Sequence, residues 1–227
     1  MRRFGIVIGC VVWLSAVTMI VGFRMKPQDT AVITVMQPEG LVLPCAVQGV
    51  EMEAKAIAWY EGPFREDGSD EEVAGVSALI VTNTGDTMIG KGAVIMEFDD
   101  KRMVFEVFGL PAGETAMVLE KDQCAYYAGE FTACYGWESR EYPEDMGHVT
   151  VYDAGGAEML LTNRTNGRIP IVRVRYKTYD SDSDMYIGGI CYEAEVKNLQ
   201  PGEQRIITPY HFLCGSSKVI SVVVEAE

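Results

Sequence analysis

Two histidines, six cysteines and thirty-three carboxylates are the side chains of this sequence that could do chemistry. Zinc sites draw cysteine and histidine together at short fixed spacings. Here no Cys-x-x-Cys occurs, and His148 and His211 each stand far in sequence from a second soft ligand. A nucleophilic Ser, Cys or Thr needs a base beside it, and neither histidine falls in a motif that would supply one. His211, between Tyr210 and Phe212, reads as a strand or edge residue. Asp180-Ser181-Asp182-Ser183-Asp184 has the alternating acids of a calcium loop. An EF-hand loop also wants Gly at its sixth position and Glu at its twelfth. Those positions hold Met185 and Cys191, so the stretch reads as a solvated hairpin loop. There is no Gly-rich phosphate loop. The sequence thus points to no catalytic, cofactor-binding or metal-ligating residues, and to a protein that is not an enzyme.

The cysteines bear on folding more than on catalysis. Cys10 lies in an N-terminal apolar run, and the remaining five are an odd number, which leaves one thiol over. In an oxidising compartment Cys124–Cys134 would close a hairpin and Cys191–Cys214 would tie two strands. Buried free thiols are the other reading.

Formal charge is −14. Nucleic acid and anionic lipid surfaces both call for net positive charge, so neither is an expected partner. The acidity is uneven: residues 29–147 carry 7 cations against 23 anions, and residues 148–227 carry 8 against 10. Five acids (Glu66, Asp67, Asp70, Glu71 and Glu72) crowd into 62–72, which reads as a solvated loop. An acidic patch for a basic protein surface is the minority reading of that run.

The elements that must position these groups are marked by a repeat. Leu79-Ile80-Val81-Thr82-Asn83 returns as Leu160-Leu161-Thr162-Asn163, and Leu110-Pro111-Ala112-Gly113-Glu114 as Leu199-Gln200-Pro201-Gly202-Glu203. The offset is 80 residues at Thr-Asn and 89 at the Leu-x-x-Gly-Glu turn. Between the marks lie short β-prone runs with Gly, Asn and Asp turns, the pattern of β-sandwiches. Strands are expected over 32–35, 56–60, 76–82, 92–98, 103–108, 116–119 and 131–137, with a linker over 139–146. In the second copy they are expected over 148–152, 159–162, 171–179, 192–196, 206–207 and 219–224. The run 92–98 is apolar on both faces and is expected to be buried on both. The run 171–179 alternates, with Val172, Val174 and Tyr176 on one face and Arg173, Arg175 and Lys177 on the other. It pairs with 187–197 as an antiparallel hairpin that sets Arg173 and Arg175 opposite Glu193 and Glu195; the alternative for the basic stripe is an anion site. Asn163-Arg164-Thr165 is a glycosylation sequon, but a strand-to-turn position explains Asn163 without a glycan.

Ahead of the repeat, residues 4–23 carry no charge. At about 1.5 Å per helical residue they would cross a bilayer core of about 30 Å. No Ala-x-Ala cleavage signal follows, so the run reads as an uncleaved single-pass anchor with the globular part outside the cell membrane.

The run Val-Thr-Asn-Thr-Gly-Asp, an apolar strand ending in an aromatic-Asp pair (Phe98-Asp99, and Tyr179-Asp180 in the second copy) and the Leu-Pro-x-Gly-Glu turn resemble immunoglobulin-like bacterial surface modules. The resemblance is to the FxLYD family and related CARDB-type adhesion domains, and covers about 75–140 and 155–227. It implies two tandem immunoglobulin-like sandwiches with a role in surface interaction or spacing, and brings no catalytic residues with it. The expected organisation is an anchor over 1–26, a first sandwich with an N-terminal extension over 27–147, and a second sandwich over 148–227. The expected function is a non-enzymatic, membrane-anchored, extracytoplasmic interaction or spacer module. An extracytoplasmic sensor or accessory subunit of a membrane complex is the alternative, followed by a hydrolase with an unrecognised site.

Overall fold

The computed structural model describes residues 41–127, 129–141 and 147–225. The anchor over 4–23, the β-prone run 32–35 and the linker residues 142–146 lie outside the described residues. Among those described, all helix-or-strand structure is strand. The first copy contributes β1 (Cys45–Ala46), β2 (Met52–Phe64), β3 (Glu71–Asn83), β4 (Met88–Glu97), β5 (Arg102–Leu110), β6 (Thr115–Leu119) and β7 (Ala133–Glu141). The second contributes β8 (Val149–Gly155), β9 (Glu158–Asn163), β10 (Ile169–Asp180), β11 (Met185–Ile187), β12 (Tyr192–Leu199), β13 (Gln204–Ile207) and β14 (Ser217–Glu225).

The repeat seen in the residues recurs in the topology. The first copy sets β2-β3-β6 against β5-β4-β7, and the second sets β8-β9-β13 against β12-β10-β14. Strand for strand the two orders are the same. Each pair of sheets encloses an apolar cluster, around Leu79, Val94, Met96 and Phe105 in the first copy and Leu161, Val172, Val174 and Val196 in the second, and Tyr186 and Ile220 of the second copy complete the first. β4 lies between β5 and β7, and Ala93, Val94, Ile95 and Met96 are all buried, as an apolar run on both faces requires.

The Thr-Asn and Leu-x-x-Gly-Glu marks form one device, built twice. Asn83 ends β3 with its side chain turned inward, and Nδ2 donates to the carbonyls of Thr87 (2.8 Å) and Leu110 (3.0 Å). Asn163 does the same at the end of β9, donating to Gly167 (2.8 Å), Leu199 (3.0 Å) and Gln200 (3.0 Å). The Asn83 N–H donates to Glu114 and Gly113 returns one to Asn83; Glu203 and Gly202 repeat this at Asn163. Each Asn therefore welds the end of one strand to the Pro-Gly-Glu turn of another. Both are buried, so the Asn163 sequon is closed to a glycan in the folded protein.

The copies are joined edge to edge. β6 pairs in parallel with β11 through Ala116–Tyr186 and Met117–Ile187. One eight-stranded sheet, β1-β2-β3-β6-β11-β10-β12 with β14 on β10, therefore runs through both. The described residues form a single compact unit. Three expectations are corrected here. The loop expected over 62–72 is shorter, because β2 runs to Phe64 and β3 starts at Glu71 with Phe64 paired to Glu71. The segment expected as a linker over 139–146 is still strand to Glu141, where β7 completes its ladder with Met88 of β4. Strand 187–197 is broken at 188–191, between β11 and β12, and that break builds the junction described next.

Candidate functional site

The hairpin partners of β10 stand where alternation put them. Arg173 is opposite Glu195 and Arg175 opposite Glu193. Arg173 Nη2 reaches Glu195 at 3.1 Å, and Arg175 Nε reaches Glu193 at 3.2 Å. Arg173 also meets Glu225, and Arg175 meets Glu141 of the first copy. The basic stripe is thereby neutralised by carboxylates on the neighbouring strands.

Lys177 departs from that pattern. It shares the face of Arg173 and Arg175, yet it is fully buried. Its Nζ donates to the carbonyls of Phe108 (2.9 Å), Gly189 (3.0 Å) and Ile190 (2.6 Å). The reason is cover: the face is solvated at 173 and 175, but at 177 the end of β5 and the 188–191 break close over it. Gly189 makes the closure possible, since a Cβ there would lie 1.8 Å from the Glu106 carbonyl. Desolvation pulls the Lys177 ammonium down from the ordinary 10.5 to about 8, while the nearby Glu66 carboxylate opposes it.

Glu66 comes from the tip of the β2–β3 hairpin. Its carboxylate accepts the Leu119 N–H at 2.7 Å and the Gly189 N–H at 2.8 and 2.9 Å. Gly189 thus gives its carbonyl to Lys177 and its N–H to Glu66, so the two charges meet the two peptide groups of one residue. Burial raises the Glu66 carboxyl above its ordinary value, and the N–H donors from Gly189 and Leu119 oppose the rise. Asp70, from the same tip, pairs with Arg65 at 3.1 Å and with His211 Nδ1 at 2.8 Å. The His211 ring lies on Tyr192 at 4.6 Å and beside Tyr210 at 3.9 Å. The reading of the acid-rich run is therefore corrected in part: Glu66 and Asp70 reach the second copy, whereas Glu71 and Glu72 stay exposed as a solvated run does. Asp67 remains at the surface, where Ser69 hydrogen bonds lower its pKa.

Composition hid this use of Glu66 because its partner lies 123 residues away. The available signal was Gly188-Gly189 inside a strand pattern, which marks a bulge or a close backbone approach.

The other candidates resolve separately. Asp180 caps its own turn, accepting from Asp182 N–H and Ser183 Oγ, and the Ser183 bond lowers its pKa. The cysteine pairings expected from spacing are corrected. Cys134 contacts Cys45 rather than Cys124, Cys191 Sγ faces the Tyr192 carbonyl at 3.7 Å, and Cys214 Sγ donates to Asp153 at 3.3 Å. A cleft of about 230 Å³ opens at the junction between Phe108, Gly109, Glu141, Arg175, Cys191 and Glu193. Its one cation, Arg175, is already held by Glu141 and Glu193. Burial also raises the Cys191 thiol pKa, which keeps it protonated and a poor nucleophile. The arrangement can lock two modules at a fixed angle, and its charged groups are committed to that.

No protein-family model, curated protein or solved structure matches this chain.

Proposed function

We propose that the chain is a non-enzymatic module of the cell surface, anchored by residues 4–23 with its globular part outside the membrane, that binds a protein or spaces other parts apart. The observation that supports this best is the use of the junction's charges. Lys177 is spent on three carbonyls, Glu66 on two backbone N–H groups and His211 on Asp70. Such a joint transmits position between its halves and leaves edge strands and loops to meet a partner. The acidic first copy favours a basic partner surface, with attraction that fades as salt screens it.

The test uses the full chain in detergent, screened for hydrolase turnover and for binding to envelope proteins at low and high salt. Salt-weakened binding without turnover is expected. Turnover that disappears when residues of the junction cleft are replaced would overturn the reading. Protease added to intact cells should digest the globular part; protection until the membrane is opened would reverse the orientation.

A further inference from the structure

The first copy holds a pair of thiols placed across its core. Cys45 sits in the two-residue β1, on the sheet of β2. Cys134 sits in β7, on the opposite sheet with β4. The segment after β1 crosses between them: Gln48 N–H donates to the Cys134 carbonyl at 3.0 Å, and Gly136 N–H returns a bond to Gln48 at 2.9 Å. Val47, buried, points into the same cluster that Cys134 fills and Cys45 flanks. The two cysteine side chains are in hydrogen-bonding contact with each other. Cys124 and Cys191 flank the same cluster but turn to other partners, Glu120 and the Tyr192 carbonyl, and Cys214 meets Asp153.

We propose that Cys45 and Cys134 are a disulfide-forming pair, an inter-sheet staple that fixes β1 to the body of the first copy. β1 needs such a fixture. It is held to β2 by the register pairs Cys45–Ala54 and Ala46–Glu53, and it is the first strand among the described residues, on the side of the chain from which any pull of the proposed anchor would come. The oxidant is a disulfide-bearing donor, such as a thiol-oxidase domain or oxidised glutathione. The partly buried Cys45, as thiolate, attacks the donor S–S bond, forms a mixed disulfide and releases one donor thiolate. Cys134, after losing its proton, attacks the Cys45 sulfur and expels the second donor thiolate. Two cysteine thiols become one disulfide, one donor disulfide becomes two thiols, and the protons pass to the released thiolates.

The surface reading supplies only the oxidising compartment, and the chemistry itself is independent of it. Burial pushes Cys134 up to about 12 and raises Cys45, so the reaction is slow at neutral pH and quickens in alkaline buffer.

The experiment treats the purified full chain with oxidised glutathione in mildly alkaline buffer, alkylates what remains, and maps peptides by mass spectrometry. The expected product joins the Cys45 and Cys134 peptides with the loss of two hydrogens, leaves Cys124, Cys191 and Cys214 unlinked, and melts several degrees higher than the reduced chain. In Cys45→Ala, whose replaced side chain is partly exposed, Cys134 should take up no glutathione while the protein stays folded. A mixed disulfide that persists on Cys45 beside a Cys134 that alkylates after denaturation would overturn the proposal. So would Cys134 linked to any other cysteine. Either failure leaves the surface reading standing, because the protease and binding tests do not use these thiols.

Discussion

Along one face of β10, three cations at alternate positions meet two environments. Arg173 and Arg175 lie at the surface among carboxylates. Lys177, two residues on, is sealed under the end of β5 and bound to three carbonyls. Alternation decides which face of a strand a side chain takes. What covers that face is decided by segments remote in sequence.

Lys177→Ala removes a buried ammonium and leaves the Ile190 carbonyl and the Glu66 carboxylate without their counterpart. Breaking one side of such a buried arrangement costs about 3–5 kcal/mol, so the full chain should unfold at clearly lower denaturant concentration. Lys177→Met, which keeps much of the volume, should recover part of that loss. A change below about 1 kcal/mol in both variants, the range of exposed pairs, would mean that Lys177 is solvated like its neighbours.

The Asn corners come next in size. Asn163→Ala frees three carbonyl acceptors in a buried site, and Asn83→Ala frees two. Each lost buried partner costs about 1–3 kcal/mol, partly relieved where water enters, so a net loss of about 2–3 kcal/mol is expected at either site. Similar losses in thermal or denaturant unfolding would confirm that the two turns are the same device. A neutral substitution in one copy would show that the two turns share a geometry without sharing its energetic weight.

Much of this was readable in the residues. The Thr-Asn and Leu-x-x-Gly-Glu marks located equivalent turns because a buried Asn and a positive-φ Gly leave a residue-specific trace; φ is +74° at Gly113 and +68° at Gly202. The register of β10 on β12 was readable because Arg and Glu alternate on both strands. Lys177 and Glu66 were not, since their burial depends on the Gly189 peptide, which local composition does not encode. Spacing favours the nearer Cys124 as a partner for Cys134, whereas the sandwich brings Cys45 to it from the opposite sheet.

Lys177 also gives the contrast a pH signature. Its folded pKa, about 8, lies below the ordinary 10.5. Between those values the unfolded chain binds more protons than the folded one, so stability rises with pH across that window. Relative to Lys177→Met, which cancels the titration of other groups, the wild-type chain should gain about 1.4 kcal/mol per pH unit there. Below pH 8 the difference between the two should be flat with respect to this group. A difference that stays flat between pH 8 and 10.5 and falls only above 10.5 would show that the three carbonyls stabilise the ammonium more than burial penalises it.

The smallest effect belongs to the exposed end of the same face. Arg173 pairs with Glu193 at 3.3 Å and Glu195 at 3.1 Å and also meets Glu225, with about a third of its side chain in water. High local dielectric weakens each pair, and holding long side chains in one geometry costs rotamer entropy. A double-mutant cycle of Arg173→Gln with Glu195→Gln should give a coupling of about 0.2–1 kcal/mol. Because these charges lie at the surface, the coupling should shrink as salt is raised from a Debye length of about 30 Å to one of about 3 Å. The penalty of Lys177→Met should stay nearly constant over the same range, since no ions reach that site. A coupling at Arg173 that is large and indifferent to salt would place this end of the face under cover too, and the contrast along β10 would be lost.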